Sequence, residues 1–171
     1  MRSRSRVLLC GLIAGVVLWS AALAATPYAL RHGAEGVALV AGSMVYLAAS
    51  AICHQRADRS FHPWGVQFPV CGRCAGLYGG ALLGVCAAGV WRRRNSQRDR
   101  KVAHGLLVVL SFRGRAAALV LAAAALPTAA TVLLEAGGLV DPGNVGRAAS
   151  AVPLGAASCA FVASVIRGRV H

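Results

Sequence analysis

AAALVLAAAALPTAATVLL, residues Ala116 to Leu134, runs for nineteen positions without a charged side chain. At 1.5 Å per residue, about 20 apolar residues carry a helix across the roughly 30 Å hydrocarbon core of a bilayer. Four further apolar blocks flank this one: Val7 to Ala25, Gly36 to Cys53, Ala75 to Trp91 and Ala148 to Ile166. Hydrophobic residues make up 57% of the 171, charged residues 13%, and mean hydropathy is +0.63. Soluble domains carry about a quarter charged residues, so this chain has too few to cover a water-facing surface. The pattern predicts an all-α, polytopic transmembrane helical bundle of four or five spans. Pro127 and Pro153 fall inside two of the blocks, where a lost hydrogen bond kinks a helix.

Two segments follow from this layout. Residues 1–35 form an N-terminal apolar helix, anchor-like or signal-like, with its connection. Residues 36–171 form a helical membrane domain carrying a Cys/His loop at 53–74. The small residues Ala22 to Ala25 also fit a signal-peptide cleavage site, but the apolar stretch is longer than most signal cores, which favours an uncleaved helix.

Seventeen Arg and one Lys stand against five acids, a net charge of +13. In a soluble chain that value would point to nucleic acid. Here the arginines sit between apolar blocks, as in Arg92, Arg93, Arg94, Arg98 and Arg100, where they set membrane orientation and attract anionic lipid headgroups. The expected partner is therefore the lipid bilayer and not nucleic acid, and the expected location is the cell (inner) membrane. The N-terminal arginines and the Arg92 to Arg115 loop give opposite orientations if all five blocks span. Counting basic residues places that loop inside and the Cys53 to Cys74 connection on the extracytoplasmic side. A re-entrant second block would satisfy both cues, since irregular backbone at membrane depth is tolerated under protein cover.

Gly76, Gly79, Gly80 and Gly84 place small residues on one face of the third block, the surface that lets helices approach closely in lipid. Such a face serves packing within one bundle or self-association.

The Cys53 to Cys74 connection is polar, contains proline and gathers Cys53, His54, His62, Cys71 and Cys74 within 22 residues. Thiolate and imidazole are the ligands that Zn and neighbouring transition metals take. A Cys-x-x-Cys turn brings two sulfurs to one tetrahedral ion, and Cys53-His54 at another helix end supplies the rest, with His62 as a spare ligand. The same Cys71-Gly72-Arg73-Cys74 spacing serves thiol–disulfide exchange, because Arg73 and a helix N-terminus lower a thiol pKa. A third reading is a disulfide from Cys53 to Cys71 or Cys74, or inert thiols. Cys10, Cys86 and Cys159 lie in apolar blocks, where a thiol acts as a small hydrophobe.

Other polar residues stand near membrane depth. Arg56 and Arg59 flank Asp58 and could pair with it or hold an anionic headgroup. Glu135 is an acid directly touching the end of an apolar block, and ionisable groups there generally face a partner; Arg147 is the expected one, with Asn144 as a hydrogen-bonding neighbour. Trp64, Phe61 and Phe68 suggest that the loop dips into the bilayer interface. His32 and His104 read as solvated, and His171 as a frayed terminus. No Ser-His-Asp order, phosphate loop, dinucleotide fingerprint or metalloprotease helix occurs.

Three stretches, Cys53-His54-Gln55-Arg56, Arg59-Ser60-Phe61 and Val70-Cys71-Gly72-Arg73-Cys74-Ala75-Gly76-Leu77-Tyr78-Gly79-Gly80, resemble the DUF2085 membrane proteins, small bacterial and archaeal chains. Leu126-Pro127, Glu135, Asn144, Arg147 and Pro153-Leu154-Gly155 add a weaker match. The resemblance covers about two thirds of the chain. It implies a helical membrane bundle with the Cys-His-Gln and Cys-x-Arg-Cys segments close together, and it names no substrate. Some members carry an Asp-Gly pair where this chain has Thr131-Val132, which leaves Glu135 as the acid available in the fourth block.

The leading expectation is a multi-pass membrane protein that binds a transition metal, Zn-like, at a helix-end site of Cys53, His54, Cys71 and Cys74. The rivals are a membrane thiol–disulfide oxidoreductase using Cys71 and Cys74, and a structural or lipid-binding scaffold without chemistry.

Overall fold

A computed structural model describes residues 2–33, 35–94 and 115–168, and every regular element among them is helical. Five helices follow in order: α1 Arg2–Arg31, α2 Val37–Ser50, α3 Gly72–Arg94, α4 Arg115–Ala136 and α5 Gly143–Gly168. Two single 3₁₀ turns, Ala57–Arg59 and Pro63–Gly65, lie in the connection between α2 and α3. The short apolar segment Val102 to Phe112, most of the basic loop, His104 and His171 lie outside the described residues.

Within α1, α4 and α5, the segments Arg6–Arg31, Ala117–Ala136 and Gly143–Ile166 are each long and apolar enough to cross a membrane. Their outward faces are correspondingly apolar, with Leu18, Leu119, Leu126, Leu133 and Val162 all exposed. That is the inversion expected when lipid is the solvent. At 23 residues α3 is also of spanning length.

The second block behaves differently from the rest. Its helix α2 has 14 residues, about 21 Å at 1.5 Å per residue, too short to span unaided. It ends at Ser50 because the N–H groups of Ile52 and Cys53 both turn back to the carbonyl of Ala49, at 3.2 and 3.0 Å. Short helices of this kind fit the re-entrant arrangement. The first block is longer than its apolar run suggests: α1 continues through Thr26 and Pro27 to Arg31. Thr26 satisfies its own hydroxyl by donating to the carbonyl of Ala22 at 2.7 Å, and Pro27 is fully buried.

The most extensive helix contact is between α3 and α5, and glycine is its cause. A Cβ added at Gly72 would lie 2.8 Å from the Asn144 carbonyl oxygen. At Gly76 it would lie 2.0 Å from that of Ala148, at Gly80 2.2 Å from that of Val152, and at Gly84 2.9 Å from that of Ala156. Each step of four on α3 meets a step of four on α5 in the same direction, so the helices run parallel, backbone against backbone. Gly155 returns the contact, within 2.1 Å of the Leu77 carbonyl for an added Cβ. Gly79 is not part of this face, since an added Cβ there meets nothing within 4 Å; three residues beyond Gly76, it points past the seam.

A parallel pair puts the N-termini of α3 and α5 at one end of the bundle. The C-terminal end of α4, with Glu135, returns to that end, and the α2–α3 connection closes over it. A small buried cluster of Leu23, Ala49, Cys53 and Val70, with Trp19, Phe68 and Tyr78 against it, backs this region from the α1 side.

Candidate metal centre

The connection from Cys53 to Cys71 folds back on itself through a few polar anchors. Gln55 adopts φ 49°, a left-handed conformation rare for a side-chain-bearing residue. In that conformation its amide nitrogen donates to the carbonyls of Tyr46 and Pro69, each at 2.8 Å. Gln67 donates back to the Gln55 carbonyl at 2.5 Å, and the Tyr46 hydroxyl donates to the Gln67 carbonyl. Ser60, fully buried, forms a β-bridge with Cys71, and its hydroxyl donates to the Arg56 carbonyl at 2.8 Å. These bonds tie the end of α2 to the start of α3.

The result is a thiol cluster. The Sγ atoms of Cys53, Cys71 and Cys74 all lie within 4.8 Å of one another. Cys53 is buried, while Cys71 and Cys74 are half-buried. The backbone N–H of Cys71 donates to Cys53 Sγ at 3.2 Å. The thiol of Cys71 is pulled down to about 5, chiefly by a hydrogen bond from the Cys74 thiol. Burial opposes the shift, and the backbone N–H of Cys74, the Cys53 thiol and the backbone N–H of Arg73 add to it. The shift favours the thiolate at this member of the cluster, the form that binds metals and attacks disulfides. Three sulfurs so placed could hold a metal ion.

The two histidines are placed differently. His54 is outside the sulfur group, yet it lines a cavity of about 380 Å³ together with Cys53, Cys71 and Cys74. His62 lines a separate cavity with Phe61, Pro63, Phe68 and Ala75. The structure thus brings three of the five Cys/His residues together, leaves a fourth at the rim and separates the fifth.

The polar candidates converge on the same end of the bundle. Glu135 accepts from Arg73 at 2.6 Å, from Arg147 at 3.0 Å and from Arg59 at 3.2 Å. Arg147, 7% exposed at its side chain, also reaches Asp141 at 2.8 Å and the Asn144 side-chain oxygen at 3.1 Å. Asn144 in turn donates to the Ser60 carbonyl at 2.8 Å, linking α5 to the thiol-bearing loop. The expected Glu135–Arg147 pair is present, but as part of a three-arginine junction joining the loop, α3, α4 and α5. Arg56 pairs with Asp58 at 3.0 Å on the surface, and the guanidinium beside Asp58 holds its carboxyl below the usual range. Arg56, Arg59, Arg73 and Arg147 all line the cavity that the thiols share.

Residues 53–161, from the first thiol of the cluster into α5, match the family described as predicted membrane protein (DUF2085). The chain belongs to the DUF2085 family. The matched region holds the thiols, the arginine junction and the glycine seam, and excludes α1 and α2. An uncharacterized protein of Methanocaldococcus jannaschii is 46% identical over 41 residues, 24% of this chain and 26% of that relative. The match thus spans about a quarter of that protein's length. No solved structure matches.

Sequence reasoning missed Gln55, Tyr46, Ser60 and Gln67 as anchors. A polar Tyr46 within an otherwise apolar block was the available signal for one of them. Gln55 stood in the family-like Cys-His-Gln-Arg text without a role, and its role depends on a positive φ that composition does not reveal.

Proposed function

We propose that this DUF2085 protein binds a thiophilic transition metal, Zn-like, through Cys53, Cys71 and Cys74 at the end of its helical bundle. The observation that carries this reading is the convergence of three sulfurs from two chain segments 18 residues apart within 4.8 Å. Around a tetrahedral Zn at about 2.3 Å per bond, neighbouring sulfurs stand about 3.8 Å apart, so an inward shift of under an ångström completes the set. The Cys71 N–H to Cys53 Sγ bond and the depressed Cys71 pKa favour the anionic sulfur that a metal requires.

Three thiolates leave a fourth coordination position. His54, on the cavity shared with the thiols, is the protein group within the matched region best situated to fill it. A site closed by His54 would be structural, whereas one left open to the cavity would let the ion act as a Lewis acid or accept an exchangeable ligand. The protein side of the arrangement supplies orientation: Gln55 and Gln67 hold the loop, and the arginine junction holds the ends of α3 and α5.

The test is metal analysis of the full chain purified in neutral detergent. About one ion per chain, lost in Cys53→Ala, Cys71→Ala and Cys74→Ala and weakened in His54→Ala, is the expected outcome. Metal content near background, with the cysteine variants indistinguishable from wild type, would end the reading. A Cys71–Cys74 disulfide that forms and reverses without metal would instead assign thiol–disulfide exchange to the same residues.

A further inference from the structure

The cavity beside the thiols has an unusual wall. Four guanidinium-bearing residues line it, Arg56, Arg59, Arg73 and Arg147, and no carboxylate is among its described lining residues. The acids that contact these arginines are Asp58, Glu135 and Asp141, and none of the three lines the cavity. Four cations therefore meet three carboxylates, and one of these, Glu135, already serves three arginines with its two oxygens. Donor capacity is left over: Nε of Arg59 and Nε of Arg73 are buried and donate to nothing among the described residues, with Asp58 3.8 Å from the former, beyond hydrogen-bonding range.

Arginine presents a rigid planar fork of donors matched to carboxylate and phosphate oxygens. Several forks on one concave wall suit an anion with more than two acceptor oxygens and more than one charge. The parallel α3 and α5 add their N-terminal ends to the same region, where partial positive charge favours anions. Glu135 holds Arg73 and Arg147 and so orients them in advance, so that a ligand would not have to order them.

We propose that this cavity is a binding site for a phosphoryl oxyanion, either free phosphate or the headgroup of an anionic phospholipid. The proposal rests on the arginines and stands whether or not the thiols hold a metal. A cavity of about 380 Å³ has room for such a group beside the sulfurs.

Isothermal titration of inorganic phosphate into the full chain, chelator-treated and in neutral detergent, tests it. A saturable site with a Kd of about 1 mM or tighter is expected. Arg56→Gln, 59% exposed and paired with Asp58, and Arg59→Gln, 38% exposed and removable while Arg73 and Arg147 still hold Glu135, should each weaken it about ten-fold. Arg31→Gln, on an exposed residue at the end of α1, should leave it unchanged. Monomeric phosphatidic acid displacing phosphate at lower concentration would identify a lipid headgroup as the source, and parity between the two would identify the free anion; either supports the site. Absence of saturable binding overturns it. So does binding that appears only after metal loading and ignores both arginine substitutions, because the anion would then belong to the ion alone. Metal content measured on the same samples separates this outcome from failure of the metal reading.

Discussion

The backbone N–H of Cys71 points at Sγ of Cys53, 3.2 Å away, so the first thiol of the cluster is held by the residue that supplies the second. The Cys71 thiol itself is drawn down to about 5 from the ordinary thiol value of 9.0, first by the Cys74 thiol and then by the Cys74 N–H, the Cys53 thiol and the Arg73 N–H, against the opposing effect of burial. A depressed acid pKa stabilises the fold where the thiolate is present: the gain is complete above about 9 and disappears as pH falls through about 5. In chelator-treated protein, alkylation of Cys71 followed by mass spectrometry should titrate with a midpoint near 5. Cys74→Ala removes the largest contribution and should move that midpoint upward. An unshifted midpoint in that variant would contradict the assigned cause.

The glycine seam makes a sharper mechanical prediction. Gly76→Ala and Gly80→Ala place a Cβ about 2 Å from a carbonyl oxygen of α5, a contact only backbone separation can relieve. Each should destabilise the bundle by about 2 kcal/mol or more, read as a shifted midpoint in detergent unfolding. Gly79→Ala, which meets open space, should be neutral or slightly stabilising, as expected for Ala over Gly in a helix.

How much of this was legible beforehand differs by element. Hydropathy and length were enough for α1, α4 and α5, because a lipid-facing helix must be apolar over about 20 residues and loops cannot survive there. The C-terminal limit of α2 was not, since it depends on two amides turning back to Ala49. The glycine face was readable from spacing for Gly76, Gly80 and Gly84. The partner helix and its register were not, and Gly79 was wrongly grouped with them. For the site, cysteine spacing brought out the three thiols, and the acid Glu135 led to Arg147. Sequence could not tell which way His62 turns, nor that Arg59 and Arg73 would join the same carboxylate, because both follow from how the loop folds over the bundle end.

Glu135 is the hub of that junction, and its side chain is 13% exposed. Removing its charge leaves Arg147, 7% exposed, partnered mainly by the exposed Asp141. Breaking a buried pair in this way costs about 3 kcal/mol, so Glu135→Gln should lower the unfolding midpoint clearly. Asp58→Asn breaks only surface pairs, with both Arg56 and Asp58 59% exposed, and should leave the unfolding midpoint close to wild type. Equal costs for the two would mean that the junction does not hold the helix ends.

The orientation of the loop can be measured at His62. This residue is exposed and stands apart from the sulfur cluster, so His62→Cys introduces a reporter without touching the candidate ligands. In intact cells, a membrane-impermeant maleimide should label it from the extracytoplasmic side, as the balance of basic residues requires. Labelling only after lysis would reverse the topology and put the thiols in a reducing compartment.

Gln55 links fold and site most directly, because one side chain joins the end of α2 to Pro69 just ahead of the thiol pair. Gln55→Ala loses both donated bonds but keeps the Cβ that the φ of 49° already strains in the native residue, so its cost reports the amide. Gln55→Gly loses the same bonds and relieves that φ, so it should cost less than the alanine variant. The alanine variant should cost about 1 to 3 kcal/mol and weaken metal binding, since Cys53 would no longer be held against Cys71. If instead the alanine variant matches wild type in metal content and stability, the amide does not align the thiols, and Ser60 with the β-bridge to Cys71 does so.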